Sequence, residues 1–175
     1  MEAALAEAAF MTGLERNADV VHLAAYAPLV ARLGYTQWSP DLIWFDDRTA
    51  YGTPSYYVQK MYSNHMGNYT LQSQLEGEKD GIYTIVSYKE GSKDIIIKVV
   101  NSKEATHILS LQMAEGYQLD GTGTVYELKA ENLEDYNTID LVKVATVQKD
   151  LEGIRSDSKY TLPPYSFSVI RLKVK

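Results

Sequence analysis

Asp94-Ile95-Ile96-Ile97-Lys98-Val99-Val100-Asn101 places three isoleucines and two valines in eight residues. β-Branched side chains favour extended backbone, and an apolar run without alternation reads as a strand shielded on both faces. Such a strand needs a sheet neighbour on each side and cover above and below. The chain after about Gly67 is therefore expected to build a sheet system around it.

Beyond Gly67 the sequence period is two. Residues 69–75 alternate, residues 76–81 form a turn, and Ile82–Lys89 is a strand. Glu90-Gly91-Ser92 then links into the central run as an antiparallel hairpin. Further strands are expected at residues 106–113, 124–130, 141–146, 159–162 and 167–173. Asp120-Gly121-Thr122-Gly123 reads as a turn that breaks the pattern; its glycines lack the lysine and following helix of a phosphate loop. Residues 150–158 read as loop. Pro163-Pro164 ends a strand, because neither nitrogen can donate to a ladder. In the last run Ile170, Leu172 and Val174 share a side, which requires an internal position in a sheet. Seven or eight antiparallel strands with short polar turns predict a mainly β fold, an antiparallel β-sandwich of jelly-roll type.

The first 67 residues are patterned differently. Residues 3–16 are rich in alanine, leucine, glutamate and methionine and predict a helix. Phe10, Met11 and Leu14 share one face; Ala8, Ala9 and Thr12 make another, small enough for close contact with a neighbour. Residues 20–26 read as a short buried strand, the αβ step of a parallel sheet without a parallel partner in this chain. That argues against a self-contained α/β fold. Residues 28–33 suit one or two helical turns. Residues 34–54 make a long connection that holds Trp38, Trp44, Phe45 and Tyr51 with Asp41, Asp46 and Asp47, and a brief strand at 42–45. Thr53 as N-cap and Pro54 behind it start a helix over 55–65. A boundary is expected near residues 67–68.

The chain has no cysteine, which excludes disulfides, thiolate metal sites and cysteine catalysis. Its net charge is −6 and evenly spread: seven carboxylates against four cations in residues 1–67, sixteen against thirteen after that, −3 in each part. An even acidic surface without a basic stripe argues against a nucleic-acid partner. No apolar run approaches the ~20 residues of a membrane span, so no membrane partner is expected. The opening Met-Glu-Ala-Ala-Leu-Ala lacks signal-peptide features and reads as mid-protein sequence. Fourteen tyrosines suit half-buried sheets and sugar-handling surfaces alike.

Glycoside hydrolysis needs two carboxyls about 5 to 9.5 Å apart across a sugar. Asp41, Asp46 and Asp47 are the loop candidates, but adjacent Asp46 and Asp47 point apart in extended backbone, and loop aspartates usually cap turns. Glu7 reads as a helix-face residue. His22, His65 and His107 fall in three separate places with no ligand spacing, so neither metal nor cofactor is expected. There is no G-x-S-x-G elbow. No residue is assigned a catalytic role.

Three stretches carry a resemblance. One is Ala4-Leu5-Ala6-Glu7-Ala8-Ala9-Phe10-Met11-Thr12-Gly13-Leu14-Glu15-Arg16-Asn17-Ala18-Asp19-Val20-Val21 with Ala25-Tyr26-Ala27-Pro28-Leu29. The second is Trp38-Ser39-Pro40-Asp41-Leu42-Ile43-Trp44-Phe45-Asp46 with Tyr51-Gly52-Thr53-Pro54-Ser55-Tyr56-Tyr57-Val58-Gln59, and the third Leu162-Pro163-Pro164-Tyr165-Ser166-Phe167-Ser168-Val169-Ile170-Arg171-Leu172. Glu131-Asn132 and Asn137-Thr138 with Val142 and Val144 fit more loosely. Together they resemble the C-terminal part of the α-L-arabinofuranosidases of glycoside hydrolase family 51.

Members of that family join a (β/α)8 barrel to a β-sandwich and remove terminal arabinofuranosyl groups from plant polysaccharides with retention of configuration. The resemblance implies that residues 1–67 are a remnant of the last βα units of the barrel. Residues 3–16 would follow strand seven, residues 20–25 would be strand eight and residues 55–65 its helix. Residues 68–175 would be the C-terminal sandwich. Both catalytic glutamates of the family precede the matched stretch, so the chain alone is expected to be inactive. The aromatic loop would lie at the catalytic face of the barrel. There Trp38 would wall the arabinose subsite, and Asp41 falls near the family's sugar-contacting glutamine, a different residue type.

The implied role is accessory and structural, bracing a hydrolase barrel. The alternative is a carbohydrate-binding sandwich that uses exposed tyrosines within residues 69–88 or 117–126. The implied partners are an arabinose-containing polysaccharide or oligosaccharide and the rest of the barrel, packed on residues 1–67. Without that barrel an apolar face would be bare, which predicts self-association. The location of the parent stays open between secreted, periplasmic and cytoplasmic.

Overall fold

The computed structural model describes residues 1–77, 79–114 and 116–175. In order the elements are α1 (Glu2–Arg16), β1 (Val30–Arg32), β2 (Ile43–Phe45), β3 (Ala50–Gly52), α2 (Pro54–Asn64), β4 (Tyr69–Thr70), β5 (Ile82–Lys89), β6 (Asp94–Asn101), β7 (His107–Ser110), β8 (Leu119–Lys129), β9 (Val147–Glu152), β10 (Lys159–Leu162) and β11 (Ser166–Val174). Of the turn expected at 76–81, Glu78 lies outside the described residues.

The central strand behaves as its composition demands. All eight residues of β6 are buried. It sits third in a six-stranded sheet of order β4-β5-β6-β11-β8-β9, paired antiparallel with β5 and β11 in continuous register. The two sides of β6 enter different clusters. Ile96 and Val100 pack under the helices, with Ala4, Leu5 and Ala8 of α1, Val58, Met61 and Tyr62 of α2, and Phe167 and Val169 of β11. Ile95, Ile97 and Val99 face the other way, against Leu111 and Leu162 with Ile170 and Leu172. That second cover comes from a two-stranded antiparallel ribbon of β7 and β10. The molecule thus has three layers: helix pair, six-stranded sheet, and ribbon. The mainly β, antiparallel expectation holds, as do the β5–β6 hairpin and the internal position of the last strand.

One residue of β6 departs from its apolar neighbours. Lys98 is 1% exposed, and its ammonium pairs with Glu15 on α1 and lies 4.8 Å from the centroid of the Tyr62 ring. Tyr62 in turn donates to the carbonyl of Ala8 at 2.7 Å and stacks on Phe167 with centroids 5.0 Å apart. Small Ala4 and Ala8 let α1 approach α2 closely, while Phe10 on the opposite side is 69% exposed.

Several expectations need correction. Residues 20–26 form no strand; they run as irregular, mostly exposed chain, because among the described residues no neighbouring backbone offers them a ladder. Residues 28–33 give strand β1 instead of helix, since β1 finds a parallel partner in β2. The alternation in 69–75 yields only the two-residue β4, although Leu71 still donates to the Val86 carbonyl at 2.8 Å. The run 106–113 shortens to β7 and joins the ribbon. Residues 141–146 are loop, and the strand falls instead on β9, partly in the segment read as loop, where it pairs with β8. Asp120–Gly123 does not interrupt β8, which carries a register irregularity opposite Leu172 and Val174. Glycine is required there, because a Cβ on Gly123 would lie 2.6 Å from the Arg171 carbonyl oxygen.

Candidate functional site

The connection from Tyr26 to Thr53 is held by a three-stranded sheet in which β2 pairs parallel with β1 and antiparallel with β3. Its exit is stapled to α2. Thr53 accepts from the amide of Tyr56 at 3.3 Å, as its position before Pro54 predicts. It also donates its own amide and hydroxyl to the Leu42 carbonyl, both at 3.0 Å. Asn137, from the loop before β9, reaches across to the same place. Its amide donates to Gly52 O at 2.9 Å and Val144 O at 2.7 Å, and its carbonyl accepts from Val144 N at 2.7 Å. The Asn137 side chain is 3% exposed, so this clamp has little competition from water.

Trp38 and Asp41 are tied together through Thr36. The Thr36 hydroxyl accepts from Trp38 N at 3.1 Å and faces two acceptors, Trp38 O at 2.8 Å and Asp41 Oδ2 at 3.3 Å. One hydroxyl proton serves one acceptor well, so the nearer carbonyl takes it and Asp41 is held weakly. Asp41 is 2% exposed, whereas Trp38 is 70% exposed. The indole therefore presents an open ring face, with a buried carboxylate behind its backbone.

Behind the loop lies a second carboxyl that the sequence reading left on a helix face. Glu7 of α1 accepts from Ser55 Oγ at 3.0 Å and Tyr26 Oη at 3.4 Å. Burial raises its pKa, against the hydrogen bonds of Ser55, Tyr26 and Gln59. Its second oxygen is buried without a partner among the described residues. Burial and the charges of Glu7 and Asp41 push the Tyr26 phenol upwards, so the phenol stays a neutral donor to Glu7. The cluster ties α1, α2 and the start of the loop into one unit. The available signal was the setting of Glu7 between Ala4 and Ala8, whose burial puts its neighbour at the packed side.

The remaining carboxyl candidates have structural partners, and the histidines lie apart. Asp46 Oδ1 caps its turn, accepting from Arg48 N and Thr49 N at 2.8 Å each, and these bonds hold its carboxyl below the usual range. Asp47 pairs with Arg32 at the surface. His22 is exposed in irregular chain. His65 terminates α2 and its ring lies 4.1 Å from that of Tyr126; burial, with Arg171, Lys98 and Lys89 nearby, lowers its pKa to about 4. His107 sits on the ribbon. Among the described residues no group of three or more His, Asp or Glu could hold a metal ion.

Comparison with known proteins bears on this arrangement. Residues 1–166 match the family described as the α-L-arabinofuranosidase C-terminal domain. α-L-Arabinofuranosidase 1 of Arabidopsis thaliana is 36% identical over 173 residues, covering 95% of this chain and 25% of the relative. An extracellular exo-α-L-arabinofuranosidase of Streptomyces chartreusis is 56% identical over 70 residues, 40% of this chain and 8% of the relative. Among solved structures, the arabinose-bound MgGH51 α-L-arabinofuranosidase matches with a TM-score of 0.88 at 32% identity, over 98% of this chain and 27% of that one. The arabinose complex of the Thermotoga maritima α-L-arabinofuranosidase gives 0.82 at 21% identity, over 96% and 37%, a likeness of fold. The chain thus spans about a quarter of the length of the Arabidopsis relative.

Proposed function

We propose, since this chain belongs to the family of α-L-arabinofuranosidase C-terminal domains, that it braces the catalytic barrel of such an enzyme and is silent without it. In this reading residues 1–67 supply the last βα units of the barrel and residues 68–175 the sandwich. The whole enzyme would hydrolyse terminal arabinofuranosyl groups of a plant polysaccharide, with retention of configuration. The observation that carries the reading is the bare stretch from Val20 to Trp38. Val20, Leu23, Leu29, Val30, Tyr35 and Trp38 are each more than half exposed, Leu23 to 88%. A run that reads as a buried strand yet stands in solvent fits one whose sheet neighbours lie in another part of the enzyme.

Trp38 and Asp41 are the residues this chain would bring to the arabinose subsite, the indole as a stacking face and Asp41 as support behind it. Asp46 caps a turn, Asp47 and Glu15 enter ion pairs and Glu7 sits in its knot, which accords with catalytic acids located elsewhere. The test has two arms. The isolated chain should give no turnover of a nitrophenyl α-L-arabinofuranoside above blank; measurable turnover would defeat the reading. In the full-length enzyme, Trp38→Ala should raise KM for the same substrate, and an unchanged KM and kcat would remove Trp38 from the subsite.

A further inference from the structure

On the ribbon side of the main sheet, away from the helices, two tyrosines on neighbouring strands come together, and a third from a separate segment lies within electrostatic reach of one of them. Tyr69 of β4 pairs directly with Tyr88 of β5, their ring centroids 5.6 Å apart and their planes inclined at 42°. Tyr88 is opposite Ile95 in the next strand and packs at the margin of the ribbon-side cluster, which fixes the side these rings occupy. Tyr117, in the connection between β7 and β8, lies close enough to act electrostatically on Tyr69, as does Glu90. Tyr69 is 49% and Tyr117 43% exposed. None of the three phenol oxygens has a hydrogen-bond partner among the described residues.

We propose that Tyr69, Tyr88 and Tyr117 form an ancillary sugar-binding site that takes an uncharged polysaccharide chain. The chemistry matches on both counts. Sugar rings offer apolar C–H faces to aromatic rings, and their hydroxyls pair with unengaged phenols and a nearby carboxylate such as Glu90. Two rings inclined to each other cradle a bent or twisted chain better than a flat ribbon of sugars. Tyr88 is held by the core and gives the site a fixed floor; Tyr69 and Tyr117 can be replaced at the surface. The site is built from other segments than Trp38 and Asp41, which belong to the loop between β1 and β2.

The test is native affinity electrophoresis of the chain in gels cast with arabinan, arabinoxylan, unsubstituted xylan or hydroxyethylcellulose, beside a non-binding protein. The use of arabinose-bearing probes rests on the reading above, while the site itself does not. The wild type should be retarded in at least one gel. Tyr69→Ala/Tyr117→Ala should weaken that retardation by about tenfold or more in apparent Kd, with an unchanged far-UV spectrum and melting temperature. Tyr69→Phe, which keeps the ring, should retain most of it. Retardation by xylan or hydroxyethylcellulose alone would support the site while counting against an arabinose-directed parent. No retardation in any gel, or equal retardation of the double variant, would overturn the proposal.

Discussion

Replacing Glu15 by alanine isolates the charge buried in the central strand. Lys98 is 1% exposed and Glu15 24%, and the ammonium is further held over the Tyr62 ring. Burial lowers the Lys98 pKa, opposed by the Glu15 charge and hydrogen bond. In Glu15→Ala the ammonium remains between α1 and the sheet without its counter-ion, and removing one partner of a buried pair costs about 3–5 kcal/mol. Against the roughly 5–15 kcal/mol that hold a domain folded, that is a large share. Lys98→Met keeps similar bulk and needs no partner, so it should lie within about 1 kcal/mol of wild type or above it. The double variant should resemble Lys98→Met, giving a coupling of about 3–5 kcal/mol in the cycle. Urea unfolding followed by far-UV circular dichroism reads all four proteins, with the slope m checked for constancy. A Glu15→Ala cost under about 1 kcal/mol, or a Lys98→Met cost equal to it, would refute the reasoning.

Asn137→Ala should cost about 2–4 kcal/mol by the same assay, because it orphans Gly52 O, Val144 O and Val144 N together. Gly123→Ala should cost about 2 kcal/mol or more, since its methyl meets the Arg171 carbonyl; a melting temperature equal to wild type would contradict the close approach. His65 has a folded pKa of about 4 against 6.5 for the free group, so between those values the unfolded chain binds the extra proton. Its contribution is complete above pH 6.5 and falls as pH drops towards 4, by up to about 3 kcal/mol; His65→Phe should flatten that part of the stability–pH curve. Size-exclusion chromatography with light scattering should show concentration-dependent self-association of the isolated chain, weakened by Leu23→Lys.

The strands that carry their own evidence were readable in advance. β5 and β6 match their expected bounds residue for residue, because β-branched runs ended by glycine or polar turns specify them locally. The cap at Thr53 was equally local. Readings failed where the partner decides. Residues 20–26 are as apolar as a strand, yet among the described residues no strand pairs with them. The polar β9 becomes a strand only because β8 lies beside it. Of the candidate site, Asp41 was legible as a loop carboxyl and its pairing with Trp38 at a sugar subsite came from the family resemblance; the structure adds their link through Thr36. The Glu7 knot depends on three segments meeting, which no single stretch of sequence displays.

The helix pair and the sheet share one hydrophobic cluster, and that has a practical bearing on transplanting this region. A graft cut at residue 67 would carry the strands but uncover Ile96, Val100, Leu128, Phe167 and Val169. It would also strand the Lys98 ammonium without Glu15. An engineer moving the strands onto another protein should therefore bring both helices along. The smallest portable piece therefore begins with α1.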